Sequence, residues 1–356
     1  MALDAALLRT LAALLPDRSS TRPADLDAAA RDASSLPGAR PDAIVWPLTT
    51  DDVVAVVRLC VEHALPLTAR GAGSSLEGNP IPVRGGVVLD CARMAEVVAI
   101  RPEDLQVDVQ PGVVYAALNR QLRPHGLFFP PSPGGSADVA TIGGMAANNA
   151  SGIYSVKYGG TRDHVRAATV VTGTGEVLRL GNRARKSASG YHLLGLVVGS
   201  EGTLAVVTEL TLALGGLPQA RRQGGFRFPD ASAAARATAE LIRFGVDVAA
   251  VEFLDGRTVA ALNRFGQFGL AETPTLLVEV HGSEAGVAEV WAAADAGRDV
   301  LAEEALALGG SCSGEHGMGL GNRRYAAREH GAALALMQGV KQLFDPQGIF
   351  NPGKMW

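Results

Sequence analysis

The chain has 356 residues, of which 47% are hydrophobic and 19% are charged, and its net charge is −4. This length suits two domains, or one large α/β unit with a cap, because a single hydrophobic core stops growing before this size. The composition excludes a disordered chain, and the lack of a basic footprint argues against a nucleic-acid partner. The 43 glycines cluster in short stretches, which indicates loops that approach a ligand closely.

The N-terminal sequence and the cysteines favour a cytoplasmic protein. "MALDAALLRTLAALLPD" is amphipathic and carries an acid, unlike the basic start of a secretory signal. No stretch has the apolar length of a transmembrane helix. Cys60, Cys91 and Cys312 have neither CxxC nor paired spacing, which argues against a disulfide framework and a zinc finger, and Cys60 lies in an apolar helical pattern that predicts a core position. We expect a cytoplasmic protein, with peripheral association with the inner membrane through a partner as the alternative.

The first elements alternate between helix and strand. Residues 1–40 predict an N-terminal helical segment. "PDAIVWPLTTDDVVAVVRLCVEHALPLTARGAGSSLEGNP" then predicts a strand, a helix, a strand and a glycine loop, with Thr50 capping a helix that begins at Asp51.

The following stretch predicts a second set of strands. "LQVDVQPG" alternates at period two, which places Leu105, Val107 and Val109 on one face of a strand. "VVYAALNRQLRPHG" has helical spacing and stops at Gly126. "RAATVVTGTGEVLRLG" and "GTLAVVTELTLALGG" are rich in strand-forming residues.

The pattern changes after "GGLPQA". Residues 222–308 alternate strands with long alanine-rich helices, which is typical of an α+β unit. A helix in "GAALALMQGVKQLFDPQG" and the tail "IFNPGKMW" lie at the end of the chain. The predicted organisation is therefore a segment over 1–40, a domain over 41–215, an α+β unit over 222–308 and a C-terminal segment over 309–356.

Three glycine-rich loops are the strongest functional signal. "RGAGSSLEGNP" follows a predicted strand, and its glycines let backbone N–H groups converge on an anion. It is neither GxGxxG nor a P-loop, so a Rossmann or ATPase site is disfavoured, and a tight turn is the alternative interpretation. "PPSPGGSADVATIGGMAANNASG" combines prolines, a turn at Thr141–Gly144 and the pair Asn148–Asn149, and we expect no regular structure in it. "VVGSEGTLAVVTEL" places 199–203 before a strand. Three such loops indicate an extended ligand with a diphosphate.

These runs, together with "VQPGV", "RKSASGYHL", "SGEHGMGLGNRRY" and "FDPQGIFNPGK", carry a resemblance to a known family. The chain resembles FAD-linked oxidoreductases of the vanillyl-alcohol oxidase and p-cresol methylhydroxylase superfamily, most closely the D-lactate dehydrogenase (cytochrome) and glycolate oxidase FAD-subunit branch. The implied fold class is α+β, with a p-cresol methylhydroxylase-type FAD-binding domain of two α/β subdomains over 41–215. A truncated α+β cap over 222–308 and a C-terminal helical segment that returns to the flavin follow.

The resemblance implies non-covalent FAD and assigns its contacts residue by residue. The diphosphate contacts would come from Arg70, Gly71, Ala72, Gly73, Ser74 and Ser75. Flavin-side contacts would come from Thr141, Gly144, Ser151 and Gly152, with Asn351 near the flavin, and adenine-side contacts from Glu201, Gly202 and Val207. Further cofactor contacts would come from Gly78, Pro131, Gly143 and Asn148.

The sequence departs from the family in the cap. The family's arginine for the substrate carboxylate and its His-x-Gly-Asp-Gly-Asn-x-His motif, which supplies metal ligands, are both missing. A block on the order of 100 residues, about the size of a small domain, is absent near Trp291 to Arg298. We therefore predict no bound metal, because one carboxylate cannot make a site that needs three or more protein ligands.

By resemblance, Glu315 would be a metal ligand and His316 the base that takes the substrate hydroxyl proton. Histidine suits this role because its pKa lies near working pH. The alternative is that the pair is a solvated loop remnant. His281 is interpreted as structural, and Arg323–Arg324 as a solvated helix start instead of a carboxylate site.

The resulting functional hypothesis is FAD-dependent oxidation of a small D-2-hydroxy acid, of the D-lactate or glycolate type, to the 2-oxo acid, impaired by the missing cap segment. A quinone, cytochrome or electron-transfer protein would accept the electrons, and a partner subunit or homodimer would complete the site. The alternative is an FAD-binding subunit or remnant without independent turnover. An NADPH-using reductase is disfavoured because no second nucleotide motif is present.

Overall fold

The computed structural model describes residues 3–296, 326 and 330–355, and it divides into two units. The first unit comprises Met1–Ser151, Gly160–Gly215 and Cys312–Trp356, and the second comprises Gly152–Gly159 and Gly216–Ser311.

The first sheet of the first unit is mixed. Its elements are helix α1 (Ala5–Leu14), strand β1 (Ser19–Ser20), helix α2 (Pro23–Ala29), strand β2 (Ala43–Val45), helix α3 (Thr50–Glu62), strand β3 (Leu67–Arg70) and strand β4 (Val87–Asp90). The strand order is β1-β2-β4-β3, with β2, β4 and β3 parallel and β1 antiparallel. Val45, Leu67 and Leu89 are fully buried against α3 and α1, because parallel strands covered by helices have little contact with water.

The second sheet of the first unit is antiparallel. Its elements are β5 (Val97–Arg101), β6 (Gln106–Val109), α4 (Tyr115–Leu122), β7 (Leu127–Phe128), α5 (Ile142–Asn148), α7 (Thr161–His164), β8 (Val165–Thr172), β9 (Val177–Gly181), α8 (Leu194–Val197) and β10 (Ala205–Ala213). The strand order is β5-β6-β10-β8-β9. One face packs on α4, α5 and α8 through a core that includes Val107, Leu118, Ile142 and Leu210.

The second unit is an antiparallel sheet with helices. The two-residue strand β11 (Gly215–Gly216) spans the boundary between the two units. The elements of the second unit are helix α6 (Ser155–Tyr158), β12 (Ala220–Arg227), α9 (Ala231–Arg243), β13 (Val248–Leu254), α10 (Gly256–Gly266), β14 (Thr275–Gly282) and α11 (Glu284–Ala296). The strand order is β12-β14-β13, and its core includes Phe226, Val278, Val280 and Trp291. Helix α10 was not among the predicted elements.

The C-terminal part of the chain returns to the first unit. Helix α12 (Ala333–Phe344) precedes a tail in which Phe350 forms a parallel bridge with Leu67 of β3. The α+β class, the two α/β subdomains and the C-terminal helix are therefore confirmed. In the described part of the chain, no helix has both the length and the apolar character needed to cross a bilayer.

Three local predictions were wrong. The cap of α3 is Thr49, not Thr50, because the Thr49 side chain accepts from the N–H of Asp52 in a reciprocal capping box. Leu105 does not share the buried face of β6, since it lies in a left-handed turn (φ 53°) and is 46% exposed. The second glycine loop contains regular structure, because 142–148 is helical.

The buried cysteines follow the prediction made for Cys60. Cys60 and Cys91 are free and buried, and burial raises the pKa of each thiol to about 12. Neither thiol is therefore a thiolate nucleophile at neutral pH. Cys312 lies outside the described residues.

Candidate functional site

The three glycine-rich loops line one cleft in the first unit, with a volume of about 1320 Å³ including its open mouth. Fourteen of the predicted cofactor residues line it: Arg70, Gly71, Ala72, Gly73, Ser74, Ser75, Thr141, Gly143, Gly144, Asn148, Ser151, Glu201, Gly202 and Val207. The first and third loops lie more than 100 residues apart in the chain, and all three loops meet at one concave surface, which suits a long ligand.

The first loop begins where β3 ends at Arg70. Among the described residues, the backbone N–H groups of 72–76 make no hydrogen bond to the protein. Buried or half-buried N–H groups without an acceptor are costly unless a ligand or water satisfies them. Consecutive free N–H groups in a non-regular loop form a cradle for an anion, so this segment fits a diphosphate.

Two glycines let this loop fold tightly. A Cβ on Gly71 would lie 2.2 Å from Oγ1 of Thr141, so only glycine allows the first and second loops to approach this closely. Gly73 has a φ of +68°, and a Cβ there would lie 2.1 Å from Nη2 of Arg70. Gly73 therefore combines a left-handed backbone conformation with a close approach to Arg70, whose guanidinium would have to shift to admit a Cβ.

The guanidinium of Arg70 connects the start of the first loop to the chain near the end of α2. It donates to the carbonyl oxygens of Arg31 (2.9 Å) and Ala28 (3.3 Å), near the end of α2. Burial lowers the pKa of Arg70, while Asp90 and Asp32 oppose that effect. Arginine remains charged throughout the ordinary pH range, so Arg70 adds positive charge to a site that fits an anion.

The second loop contributes a short helix to the cleft. The side chain of Thr141 caps α5 by accepting from the N–H of Gly144 at 3.3 Å. A Cβ on Gly143 would lie 2.4 Å from Cβ of Pro111, so the helix packs directly on this proline. Buried Ile142 and Met145 anchor the other side of the helix in the core.

The third loop places a buried carboxylate beside the first loop. Glu201 has a φ of 54° and is 4% exposed, and its Oε2 accepts from Nδ2 of Asn79 at 2.6 Å. Oδ1 of Asn79 accepts from the hydroxyl of Ser75 and from Nδ2 of Asn148 at 3.4 Å. All three loops are therefore tied together by side chains that line the cleft.

Asn79 and two C-terminal lysines were not predicted from the sequence. Nζ of Lys354 donates to the carbonyls of Asn79 (3.0 Å) and Ile81 (2.8 Å). Nζ of Lys341 donates to the carbonyl of Thr203 at 2.5 Å and pairs with Asp345. Lys354 lies in the short polar tail and Lys341 in helix α12. Neither gives a sequence signal for the cleft, because the loop carbonyls that they bind lie more than 100 positions away.

Four predicted cofactor residues do not line the cleft: Gly78, Pro131, Gly152 and Asn351. Gly78 forms a turn and donates its N–H to Oδ2 of Asp32, and Pro131 is buried. Gly152 belongs to the second unit. Asn351 is buried, and its Nδ2 donates to the carbonyl of Glu201 at 2.7 Å, so it positions the third loop.

The second unit contains a buried polar cluster around His281. Nε2 of His281 contacts Oε1 of Glu279 at 2.6 Å, and Nδ1 contacts the hydroxyl of Tyr158 at 2.9 Å. Because an ionised carboxylate only accepts, Nε2 carries the proton and Nδ1 accepts from Tyr158. Burial lowers the pKa of His281, against the opposing effect of Glu279. A fully buried imidazole with both nitrogens bonded agrees with the structural role predicted for it.

Tyr154 and Gln223 complete this cluster. The hydroxyl of Tyr154 lies 3.5 Å from both oxygens of Glu279, and Nε2 of Gln223 donates to Oε2 of Glu279 at 2.9 Å. The cluster therefore joins α6 to β12 and β14 by hydrogen bonds.

The predicted catalytic pair, Glu315 and His316, lies outside the described residues, as do Arg323 and Arg324. Within the described ranges no group of three or more His, Cys, Asp or Glu residues is arranged to hold a metal ion.

Comparison with known families gives two matches. Residues 41–181 match the FAD binding domain family. Residues 217–297 and 287–355 match the C-terminal domain of FAD linked oxidases, in two segments. The two segments meet where the sequence predicts the missing block.

Several known proteins are similar along most of the chain. A probable mitochondrial D-lactate dehydrogenase of Danio rerio is 32% identical over 421 residues, which cover 88% of this chain and 84% of that protein. Because these aligned positions outnumber the 356 residues of the chain, the relative has residues with no counterpart here. The glycolate oxidase subunit GlcD of Bacillus subtilis is 36% identical over 244 residues, covering 68% of this chain and 52% of that protein.

Solved structures share the fold. An alkyldihydroxyacetonephosphate synthase superposes with a TM-score of 0.76 at 18% identity, covering 99% of this chain and 85% of that one. Substrate-bound p-cresol methylhydroxylase superposes with a TM-score of 0.69 at 17% identity, covering 82% of this chain and 63% of that one. The fold, the two domain matches and the similarity to D-lactate dehydrogenase along most of the chain together place this protein in the family of FAD-linked oxidases.

Proposed function

We propose that the chain is an FAD-dependent dehydrogenase that oxidises a small D-2-hydroxy acid, of the D-lactate or glycolate type, to the 2-oxo acid. The observation that carries this proposal is the cleft, where the backbone N–H groups of 72–76, which have no acceptor in the described part of the chain, adjoin two further glycine-rich loops. The names of the relatives, D-lactate dehydrogenase and glycolate oxidase subunit, support the substrate class.

Different residues of the cleft are proposed to contact different parts of the cofactor. In this proposal the loop at 72–76 holds the diphosphate, Thr141, Gly144 and Ser151 lie on the flavin side, and Glu201–Gly202 lie near the adenine. When bound, FAD supplies the acceptor for the hydride that leaves the hydroxyl-bearing carbon. The protein provides position and charge, which is the usual division of labour in flavoenzymes.

His316 takes the hydroxyl proton of the substrate in this proposal, because an imidazole titrates near working pH. Turnover also needs an electron acceptor, for which a quinone, a cytochrome or an electron-transfer protein is proposed. The missing block removes the family's carboxylate anchor, and misplacing a substrate by about 1 Å can cost on the order of 100-fold in rate. Reduction by the isolated chain is therefore expected to be slow unless a second chain completes the site.

A second candidate is an FAD-holding subunit without hydroxy acid turnover. The C-terminal family match is divided into two segments that meet at 287–297. This division favours the second candidate, because the resemblance implies that the cap supplies the arginine for the substrate carboxylate. The two candidates differ in whether substrate reduces the bound flavin.

The test is anaerobic stopped-flow flavin reduction with D-lactate, glycolate and D-2-hydroxyglutarate, using L-lactate as a control. Reduction by a D-2-hydroxy acid that is lost in His316→Ala supports the dehydrogenase. Equal, negligible rates in both proteins support the FAD-holding subunit. Colourless protein that takes up no added FAD contradicts both candidates.

A further inference from the structure

We propose that the C-terminal tail, residues 349–354, is a clasp that holds the cofactor cleft in its binding shape, and that Lys354 is its main positioning residue. The proposal rests on FAD binding in the cleft described above. It assigns a role to a residue that does not line the cleft.

The tail first fixes the strand from which the diphosphate loop begins. The N–H of Leu67 donates to the carbonyl of Ile349 at 2.8 Å, and the N–H of Asn351 donates to the carbonyl of Leu67 at 2.9 Å. The tail therefore pairs with the edge of β3 in a parallel bridge. Because β3 leads directly into the loop at 71–76, this pairing sets where the loop starts.

Lys354 fixes the end of the same loop. Its Nζ donates to the carbonyls of Asn79 and Ile81 and to Oδ1 of Asn351, the last at 3.2 Å. An ammonium group has three N–H donors, so these three acceptors use all of them. Lys354 is 3% exposed, which leaves its charge with little solvation by water. Burial of an ammonium group is costly, and the three hydrogen bonds from Nζ offset that cost while they hold Asn79, Ile81 and Asn351 in place.

The tail also holds the third loop. Nδ2 of Asn351 donates to the carbonyl of Glu201, while Nζ of Lys341 bridges the carbonyls of Thr203 and Phe350, the latter at 3.1 Å. The clasp therefore contacts both ends of the first loop and the turn of the third. Loosening it would change the spacing between the loops proposed to hold the diphosphate and the adenine.

The number of hydrogen bonds that Lys354 can donate depends on its protonation state, so the clasp should respond to pH. Burial lowers the pKa of Lys354 to about 8, while the carboxylates of Glu201 and Asp32 act in the opposite direction. A neutral amine has only two N–H donors, so one of the three acceptors loses its partner on deprotonation. The two negative charges of a diphosphate in the cleft favour the ammonium form. FAD affinity is therefore expected to fall as the pH rises above about 8.

The stability of the protein without FAD is expected to change in the opposite direction. The folded pKa of about 8 is below the ordinary value of 10.5, so the unfolded chain binds more protons between these two values. The free energy of unfolding contributed by Lys354 therefore rises with pH across this interval. A lysine that was only structural would show this rise without any change in FAD affinity.

The experiment compares the full-length wild type with Lys354→Met, Lys354→Arg and Lys186→Met. Lys186 is an exposed residue away from the cleft lining and serves as the control. FAD dissociation constants are measured from the fluorescence of released FAD between pH 6.5 and 9.5, and thermal unfolding of each FAD-free protein is followed in parallel. Absence of FAD binding in the wild type would contradict the proposed function itself.

At pH 7 we expect Lys354→Met to raise the FAD dissociation constant about 10- to 100-fold, the effect of losing a hydrogen bond from a charged group. The FAD affinity of the wild type and that of Lys186→Met should decrease in parallel above pH 8. Lys354→Arg, which keeps its charge, should show no such weakening and thereby provides the test if Lys354→Met does not fold. A wild-type pH profile in Lys354→Arg, or wild-type affinity in a folded Lys354→Met, would overturn the proposal.

Discussion

The side-chain amide of Asn79 donates a 2.6 Å hydrogen bond to Oε2 of Glu201, and so joins two buried residues that lie 122 positions apart. Asn79 lies at the end of the first glycine loop and Glu201 in the middle of the third, and both residues line the cleft. The pair therefore fixes the distance between two walls of the cleft, and its strength bears on both folding and cofactor binding.

Replacing Asn79 with leucine removes the amide donor while keeping a similar side-chain volume. A hydrogen bond to a charged group contributes about 1.5–3 kcal/mol, so the free energy of unfolding should fall by about that amount. Chemical denaturation of Asn79→Leu, Glu201→Leu and the double variant measures the coupling, expected at about 0.5–3 kcal/mol. Strictly additive effects would show that the two side chains do not act as a pair.

Gly73→Ala should weaken FAD binding, whereas Gly126→Ala should retain full FAD affinity. Both glycines have nearly the same φ, +68° and +69°, so alanine costs each about 1–2 kcal/mol in backbone strain. Only Gly73 also brings a Cβ against Arg70, since nothing lies within 4 Å of a Cβ at Gly126. FAD titration of Gly73→Ala and Gly126→Ala separates the two effects. Equal FAD affinity in both variants would refute the packing argument.

The buried His281 should make the protein less stable in acid. Because burial lowers the pKa of His281 below its ordinary value of 6.5, the unfolded chain binds more protons in the interval just below that pH. The contribution of His281 to the free energy of unfolding is therefore fully present above about pH 6.5, and it is lost as the pH falls through the pKa of His281 in the folded protein. Thermal unfolding between pH 5 and 8 should show this loss in the wild type and a smaller loss in His281→Gln. A parallel pH dependence in the two proteins would show that another group is responsible.

We expect no stoichiometric zinc or manganese in the folded protein, because the family motif that supplies metal-binding histidines is missing from the sequence. Elemental analysis of the purified protein checks this. One metal ion per chain that disappears in Glu315→Gln would contradict it and would identify Glu315 as a ligand.

The sequence by itself determined the elements whose signals are local. The period-two pattern of β6, the stop at Gly126 and the N-terminal capping of α3 depend on neighbouring residues, so they were predicted to within one residue. The glycine loops were also recognised from sequence, because runs of glycine and small polar residues exclude most regular structure. Fourteen of the cofactor residues expected by resemblance then line a single cleft.

Helix α5 shows where local signals fail. Two glycines disfavour a helix by roughly 0.5–1 kcal/mol each, so the sequence predicted a loop over 142–148. Burial of Ile142 and Met145 offsets this cost, and close contact with Pro111 requires glycine at position 143. Similarly, Leu105 turns outward because the chain must enter β6 through a left-handed turn.

Only the tertiary structure decided how the cleft is held together. Lys354, Asn351, Asn79 and Glu201 come from three distant segments, and each alone is an ordinary polar residue. Their partnership depends on the tail pairing with β3, which brings the C-terminus beside the first and third loops. The reason is that burial of a charge becomes tolerable only when several partners converge on it, and such convergence is a property of the folded chain.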